Sequence, residues 1–249
     1  MGTTAEKLNK ILETKEAIRT AINNKGGTLT ETDTFASYPA AIDSLPSSGG
    51  KDRLKKLLDA TKSTNYLFNQ YSGISINDLI SYNDTENVTS MANMFHNCSN
   101  LITIPQLNTS NVTNMAHMFQ FCYKLTKVPQ LNTSKVTYMY QMFASCRVLT
   151  TIDITHMNIT SSDYSDSFAY DCHSLTKLII RNMNKIPALH SKSFSGCYHF
   201  NGTVHQTYNP AGLKDGRIYV PDDKVEALKT ATNWSVYADI IVPLSTLVE

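Results

Sequence analysis

The five cysteines of this chain, Cys98, Cys122, Cys146, Cys172 and Cys197, are separated by 24, 24, 26 and 25 residues. That regularity constrains the fold more than any other feature, because periods of about 20 to 50 residues arise from structural units stacked on one another. Asn87 to Ser110 (NVTSMANMFHNCSNLITIPQLNTS), set without a gap on Asn111 to Ser134 (NVTNMAHMFQFCYKLTKVPQLNTS), matches at 15 of 24 positions, which is an internal duplication. A third unit starts at Lys135, a fourth keeps Phe168, Cys172 and Leu175, and a fifth reads Phe194-x-x-Cys197-x-x-Phe200. Upstream, Phe68-x-x-Tyr71-x-x-Ile74 carries the same motif with tyrosine in the cysteine position. Fading of the motif toward the ends is expected of terminal units, which must meet solvent.

Two periods alternate inside a unit. Val112, Met115, Met118, Phe119 and Cys122 recur at steps of three and four, which predicts a short helix with one buried stripe. Ser110 or Asn111 is placed to cap its N-terminus. Leu125, Val128 and Leu131 follow in a stretch containing Pro129, which predicts a short extended segment. Near the C-terminus, Ile218-Tyr219-Val220 predict a strand ended by Pro221, then a helix from about Asp222 and a last strand around Ile240 to Val242. The expected architecture is an α/β solenoid of about five to six units of 24–26 residues, each a short helix plus a short parallel strand. One unit alone buries too little apolar surface to offset its chain entropy, so the units must fold together.

Composition narrows the function. Lys+Arg 22 against Asp+Glu 21 leaves a formal net charge of +1, without the basic excess that phosphate-backbone binding leaves in a sequence. Thr, Asn and Ser number 28, 21 and 23, and no glycine lies between Ile74 and Ser195, so Asn, Asp, Ser and Thr are expected to make the turns of the repeat body. Asn108 and Asn132, in consecutive Leu-Asn-Thr-Ser corners, are expected to form an asparagine ladder capping corner backbone groups. The Asn-x-Ser/Thr triplets, such as Asn87-Val88-Thr89, coincide with these corners and read as caps and turns. No apolar run approaches the roughly 20 residues of a membrane span, and no signal peptide or myristoylation signal is read at the N-terminus, where Glu6 occupies the position of the required hydroxyl.

The string Asn-Val-Thr-x-Met-x-x-Met-Phe-x-x-Cys-x-x-Leu, repeated through residues 87–150, resembles the BspA-type leucine-rich repeat of bacterial surface proteins and some phage proteins. The tail, Ile218-Tyr219-Val220-Pro221-Asp222 through Trp234-Ser235 and Tyr237-Ala238, is similar to the C-terminal cap of that family. The front departs from it. Leu8, Ile11, Leu12, Ile18 and Ile22 predict an amphipathic helix ending at Lys25-Gly26-Gly27, followed by Phe35, Tyr38, Pro39 and Ile42. This module resembles segments of bacteriophage tail and fibre proteins. The domain reading is therefore an N-terminal helical attachment module at 1–45, a flexible Pro-Ser-Ser-Gly-Gly linker at 46–50, an N-terminal cap at 51–86, the repeats at 87–204 and a C-terminal cap at 205–249.

Catalytic and metal chemistry fit poorly. Metal sites need converging ligands, usually with close C-x-x-C pairs, whereas these cysteines lie a full repeat apart. They read as small core residues, as do Met91, Met94, Met115, Met118, Met139 and Met142 beside Phe95, Phe119 and Phe143. Cys172-His173 and Cys197-x-His199 lack an accompanying acid and oxyanion element, and Asp222-Asp223 reads as a helix start. No enzyme activity and no cofactor or metal are expected. The candidate ligand-binding face comprises Thr103, Gln106, Lys127, Gln130, Thr151, Asp153 and Lys177, between the strand leucines. Tyr123, Tyr138, Tyr140, Tyr164 and Tyr170 lie off the core pattern as candidate stacking surfaces.

These readings converge on a non-enzymatic bacteriophage virion protein, a tail fibre, receptor-binding or head-fibre protein. Leu8, Ile11, Leu12, Ile18, Ile22, Phe35 and Tyr38 would attach it to other virion proteins or to a second copy, and the repeats would meet a host surface protein or glycan. It would be assembled in the host cytoplasm and exposed on the virion, without nucleic-acid binding or membrane insertion. The alternative is a bacterial cell-surface or secreted leucine-rich-repeat adhesin.

Overall fold

The structure is a computed structural model. It describes residues 58–71, 80–209, 211–212 and 214–248, together with Arg19, Thr20, Asn23 and Lys55. The attachment residues Leu8, Ile11, Leu12, Ile18, Ile22, Phe35 and Tyr38, the 46–50 linker and Ile74 lie outside the described residues.

The chain is mixed α/β, with one parallel four-stranded sheet and short helical segments. The strands are β1 Thr151–His156, β2 Lys177–Asn182, β3 Arg217–Val220 and β4 Ile241–Pro243, ordered β1-β2-β3-β4. Before β1 the same side of the repeats is held by isolated parallel bridges, Thr103 to Lys127 and Leu131 to Ile154. Pro129 and Pro105 lack the N–H that a continuous strand would need, which keeps these segments short. Pro221 ends β3 in the same way. A turn of 3-10 helix at Asp222–Lys224 leads into a helix at Val225–Thr230, and β4 closes the sheet.

On the opposite side of each unit the expected helix is replaced by a chain of tight turns. The backbone N–H groups there alternate between two kinds of partner. Those of Met94, His96 and Cys98 donate back within the turn to the carbonyls of Met91, Asn93 and Phe95, at 3.2, 3.1 and 3.1 Å. Those of Met91, Asn93, Phe95 and Asn97 donate sideways to the next unit, to Asn114, Ala116, Met118 and Gln120, at 2.9, 2.9, 2.9 and 2.7 Å. The pattern recurs from Met115, His117, Phe119 and Phe121 to Tyr138, Tyr140, Met142 and Ala144. The three-and-four spacing of apolar residues is thus real, but it comes from successive turns. An eight-residue helix is marginal alone and leaves its terminal N–H and C=O groups unpaired, whereas the turns give half their N–H groups to a neighbour. Neither Ser110 nor Asn111 caps a helix; the Asn111 amide donates to the Glu86 carbonyl at 2.8 Å.

The turns require left-handed backbone at two positions per unit, four residues apart: Tyr66 and Gln70, Asn93 and Asn97, His117 and Phe121, Gln141 and Ser145, Ser167 and Asp171. Only some of these are the short polar types expected to make the turns. Bulky His117 (φ 57°) and Phe121 (φ 63°) are held there because hydrogen bonds to both neighbouring units fix the backbone around them. In the fifth unit Gly196 takes this place (φ 78°), where a Cβ would stand 3.0 Å from the Asp171 Cα.

The corners use asparagine locally. Asn108 Oδ1 accepts from the Ser110 N–H at 3.2 Å and Asn132 Oδ1 from the Ser134 N–H at 3.1 Å. The step between units is made by threonine: Thr109 Oγ1 donates to the Asn132 carbonyl at 2.9 Å and Thr133 Oγ1 to that of His156 at 2.5 Å. The expected asparagine ladder is therefore a set of separate Asn caps joined by threonine rungs.

Phenylalanines fill the interior. Phe68, Phe95, Phe119 and Phe143 stack with centroids 5.6, 5.4 and 5.3 Å apart and planes within 8–13°. Phe168 and Phe194 turn edge-on, at 83° and 87°, where the 24-residue period is broken. All five cysteines are free and wholly buried. Each thiol donates to a carbonyl of an earlier unit: Cys98, Cys122, Cys146 and Cys172 to Phe68, Phe95, Phe119 and Phe143 at 2.9–3.1 Å, and Cys197 to Ala169 at 3.0 Å. Trp234 ends the core, its Nε1–H donating to the Pro187 carbonyl at 2.9 Å. Beside it burial pushes the Tyr237 hydroxyl up to about 12.

Two outcomes follow from this packing. Asn93→Val should lower stability by about 1–3 kcal/mol in denaturant unfolding, with Asn93→Gly equal to the parent or better, because a β-branched residue fits the left-handed region worst. Burial also pushes the Cys122, Cys146 and Cys197 thiols well above their ordinary value. The folded state then holds protons that the unfolded chain releases from about pH 8.5 upward. Stability should fall through pH 8–9.5 by up to about 1.4 kcal/mol per pH unit for each thiol, and the slope should flatten in Cys→Ala variants.

Candidate recognition site

The cysteine–histidine pairs do not form reactive dyads. Cys172 spends its thiol on the Phe143 carbonyl, and His173 turns its Nε2 to Asp171 Oδ1. Asp171 Oδ2 also accepts from Arg147 Nε and Nη2, both at 3.1 Å. The His173 ring packs against Tyr198 and Tyr208, with centroids 4.8 and 4.4 Å away. Cys197 is likewise committed to Ala169, while His199 Nδ1 lies 2.7 Å from Asp215 Oδ1. Both thiols are wholly buried and bonded to backbone carbonyls, and burial pushes the Cys197 thiol well above its ordinary value, so neither is placed to meet a substrate. Among the described residues, no three His, Cys, Asp or Glu side chains are grouped to hold a metal ion.

The seven strand-face residues fall at two levels of the parallel ladder. Thr103 bridges Lys127, and Thr151 pairs with Lys177, which pairs in turn with Arg217. At the second level Gln106 Nε2 donates to the Gln130 carbonyl at 2.8 Å, and Gln130 Nε2 donates to Asp153 Oδ1 at 3.1 Å. Arg181 grips Asp153 with two nitrogens, Nη2 to Oδ2 at 2.7 Å and Nε to Oδ1 at 3.0 Å. Ile179, the register partner of Asp153, leads on to Tyr219 and Val242. The predicted face is one surface, but Gln106, Gln130 and Asp153 are partly engaged with one another.

On the turn side the structure assembles an aromatic belt. Tyr138 lies 6.3 Å from Tyr140 and 5.0 Å from Tyr164, and Tyr140 lies 5.0 Å from His117. His117 and Phe121 flank His96 at 6.4 and 5.6 Å, and Phe121 lies 6.1 Å from Tyr123. The Arg147 guanidinium sits 5.0 Å over the Tyr123 ring, a favourable cation–π distance. Tyr170 is exposed and its ring stands outside this chain of contacts. Neutral amides thread the belt: His96 Nδ1 meets Asn69 Oδ1 at 3.0 Å, His117 Nδ1 meets Gln120 Oε1 at 2.7 Å, and Gln120 Nε2 donates to Gln141 Oε1 at 2.6 Å. Burial lowers the pKa of both histidines, favouring the uncharged rings.

His96, His117 and Phe121 were not singled out by sequence. They do carry a signal, since His117 and Phe121 take the left-handed positions of their unit and His96 precedes such a position in its own. Side chains there must leave the core.

Among the described residues no helix is long and apolar enough to cross a membrane. No curated protein matches the chain. The profile of the family described as "Mycoplasma protein of unknown function, DUF285", a family also seen in BspA-like repeat proteins, matches residues 62–182 and 99–208. These overlapping matches span the described turn units and both β1 and β2, more than half of the chain, and the protein therefore belongs to the DUF285 family.

Proposed function

We propose that this protein is a non-enzymatic leucine-rich-repeat solenoid of the BspA type that displays a recognition surface on a bacteriophage particle. Residues 1–45 attach it to other virion proteins, alone or with a second copy, and the repeats contact a host-cell surface protein or glycan. The observation carrying the reading is the division of labour across each unit. Thiols, methionines and phenylalanines are consumed by the interior, while amides, hydroxyls and aromatic rings are laid out in register on the outside. A surface of this kind suits adhesion, because rings and amides supply contact area and hydrogen bonds with little conformational freedom to lose. The virion setting is supported by the resemblance of residues 1–45 to phage tail and fibre segments.

A second reading, a bacterial cell-surface adhesin, is favoured by the family match, which is to proteins described from Mycoplasma. Mass spectrometry of purified particles separates the two. The first reading expects the chain in virions in stoichiometric amount, and expects deletion of residues 1–50 to leave a folded repeat body that no longer incorporates. Absence from particles, together with recovery from the surface of bacterial cells, would establish the second.

A further inference from the structure

The repeat is regular until it passes Cys146, and the extra length there opens a groove. Cys146 and Cys172 are 26 residues apart where the two preceding intervals are 24. The tight Asn-capped corners at Asn108 and Asn132 give way to longer connections after β1 and after β2, and these enclose a groove of about 610 Å³. That is a size ordinary for a small-molecule site, roughly 300–1,000 Å³.

Its lining has two parts. Met157, Ile159, Ile186 and Ala188 supply apolar surface, with Met157 and Ile159 rooted in the core. Thr137, Asn158, Thr160, Asn184 and Lys185 supply hydroxyls, amides and one ammonium.

One wall is also the end of a hydrogen-bond ladder. Thr89 N–H donates to the Lys62 carbonyl at 2.8 Å, Thr113 N–H to Thr89 at 2.8 Å, and Thr137 N–H to Thr113 at 3.1 Å. No further rung follows among the described residues, and Thr137, the last threonine of this ladder, lines the groove. The Asn158 amide is used on the Ser134 carbonyl at 2.9 Å, which leaves its side-chain oxygen as an acceptor.

We propose that this groove binds a short saccharide segment carrying an anionic substituent, a uronate carboxylate or a phosphate. Apolar surface takes the C–H face of a pyranose, alternating hydroxyls and amides meet its hydroxyls, and Lys185 supplies charge complementarity for the acid. Lys185 makes no ion pair among the described residues, and the groove has no carboxylate of its own to neutralise it. The assignment rests on the display reading and deepens it by naming the ligand class. It also moves the principal contact from the strand face to the corner side.

The test uses the full-length chain on an array of neutral, uronate-bearing and phosphate-bearing oligosaccharides, followed by calorimetry on the best binders. Acidic probes should bind at least about tenfold more tightly than neutral ones of the same length, a difference of one charge-assisted contact. Lys185→Gln should reduce the acidic probes to the level of the neutral ones. Thr160→Trp, which fills the groove from an exposed position, should abolish both, and Lys229→Gln, on the helix Val225–Thr230 and not part of the groove lining, should change neither. The two classes of acidic probe decide between carboxylate and phosphate. Absence of saccharide binding, or binding that ignores both T160W and K185Q, would overturn the proposal. Cell adsorption that survives T160W would reject the groove and leave the display reading standing, whereas failure of the parent chain to adsorb to any host cell would reject the display reading itself.

Discussion

The rest of the structure depends on how each unit divides its backbone N–H groups. In the turn ribbon, alternate amides bond back within the turn and sideways to the next unit, as at Met94 and Phe95. This pairs the backbone without a helix and commits every unit to its neighbours. An unpaired buried amide costs about 1–3 kcal/mol, so a unit that lost its neighbour would expose a row of such costs at once. It also explains why non-glycine residues tolerate left-handed backbone at Asn93, Asn97, His117 and Phe121. The local strain is small beside the bonds that fix it from both sides.

The same arrangement gives the cysteines their place. A carbonyl that ends a tight turn has a second lone pair, and the thiol of the following unit reaches it: Phe95 accepts from the Cys98 N–H at 3.1 Å and from the Cys122 thiol at 3.1 Å. A small, weakly polar donor satisfies a buried acceptor there without demanding hydration. The odd cysteine count therefore follows from one thiol per unit. It carries no implication of disulfides, since all five thiols are free and buried in the interior.

Much of this was legible in the sequence. The duplicated 24-residue strings gave the period, the inward residues and the phenylalanine column, because stacking identical units forces identical residues into register. Pro221 marked the end of a strand, β3, whereas the segment around Pro129 is held only by isolated bridges and forms no strand. The helix was misread because residues at i, i+3, i+4 and i+7 are buried alike by one helical stripe and by two linked turns, and only the sideways amide bonds distinguish them. The strand-face residues were placed by the strand leucines of the repeat resemblance, but their mutual bonds, such as Gln130 to Asp153, depend on register and side-chain reach. The belt's Tyr123, Tyr138, Tyr140 and Tyr164 were read as lying off the core pattern, whereas its His96, His117 and Phe121 and the groove arise where a unit departs from the consensus, the groove in the longer corners after β1 and β2. A period reports what units share, whereas specificity resides in what they do not.

The central claim is that sideways amide bonds make the units one cooperative body. Residue-resolved amide hydrogen exchange on the intact protein tests it most directly. The amides of Met115, His117, Phe119 and Phe121, which bond to Tyr138, Tyr140, Met142 and Ala144, should share one high protection factor, set by global unfolding. The half-buried His117 and Phe121 side chains, which lie outside the core, should not weaken it. Rapid exchange at His117 and Phe121 alongside slow exchange at Met118 and Cys122, the amides bonded within the turns, would contradict the account. It would mean that the turns form locally and the units are not joined through their backbones.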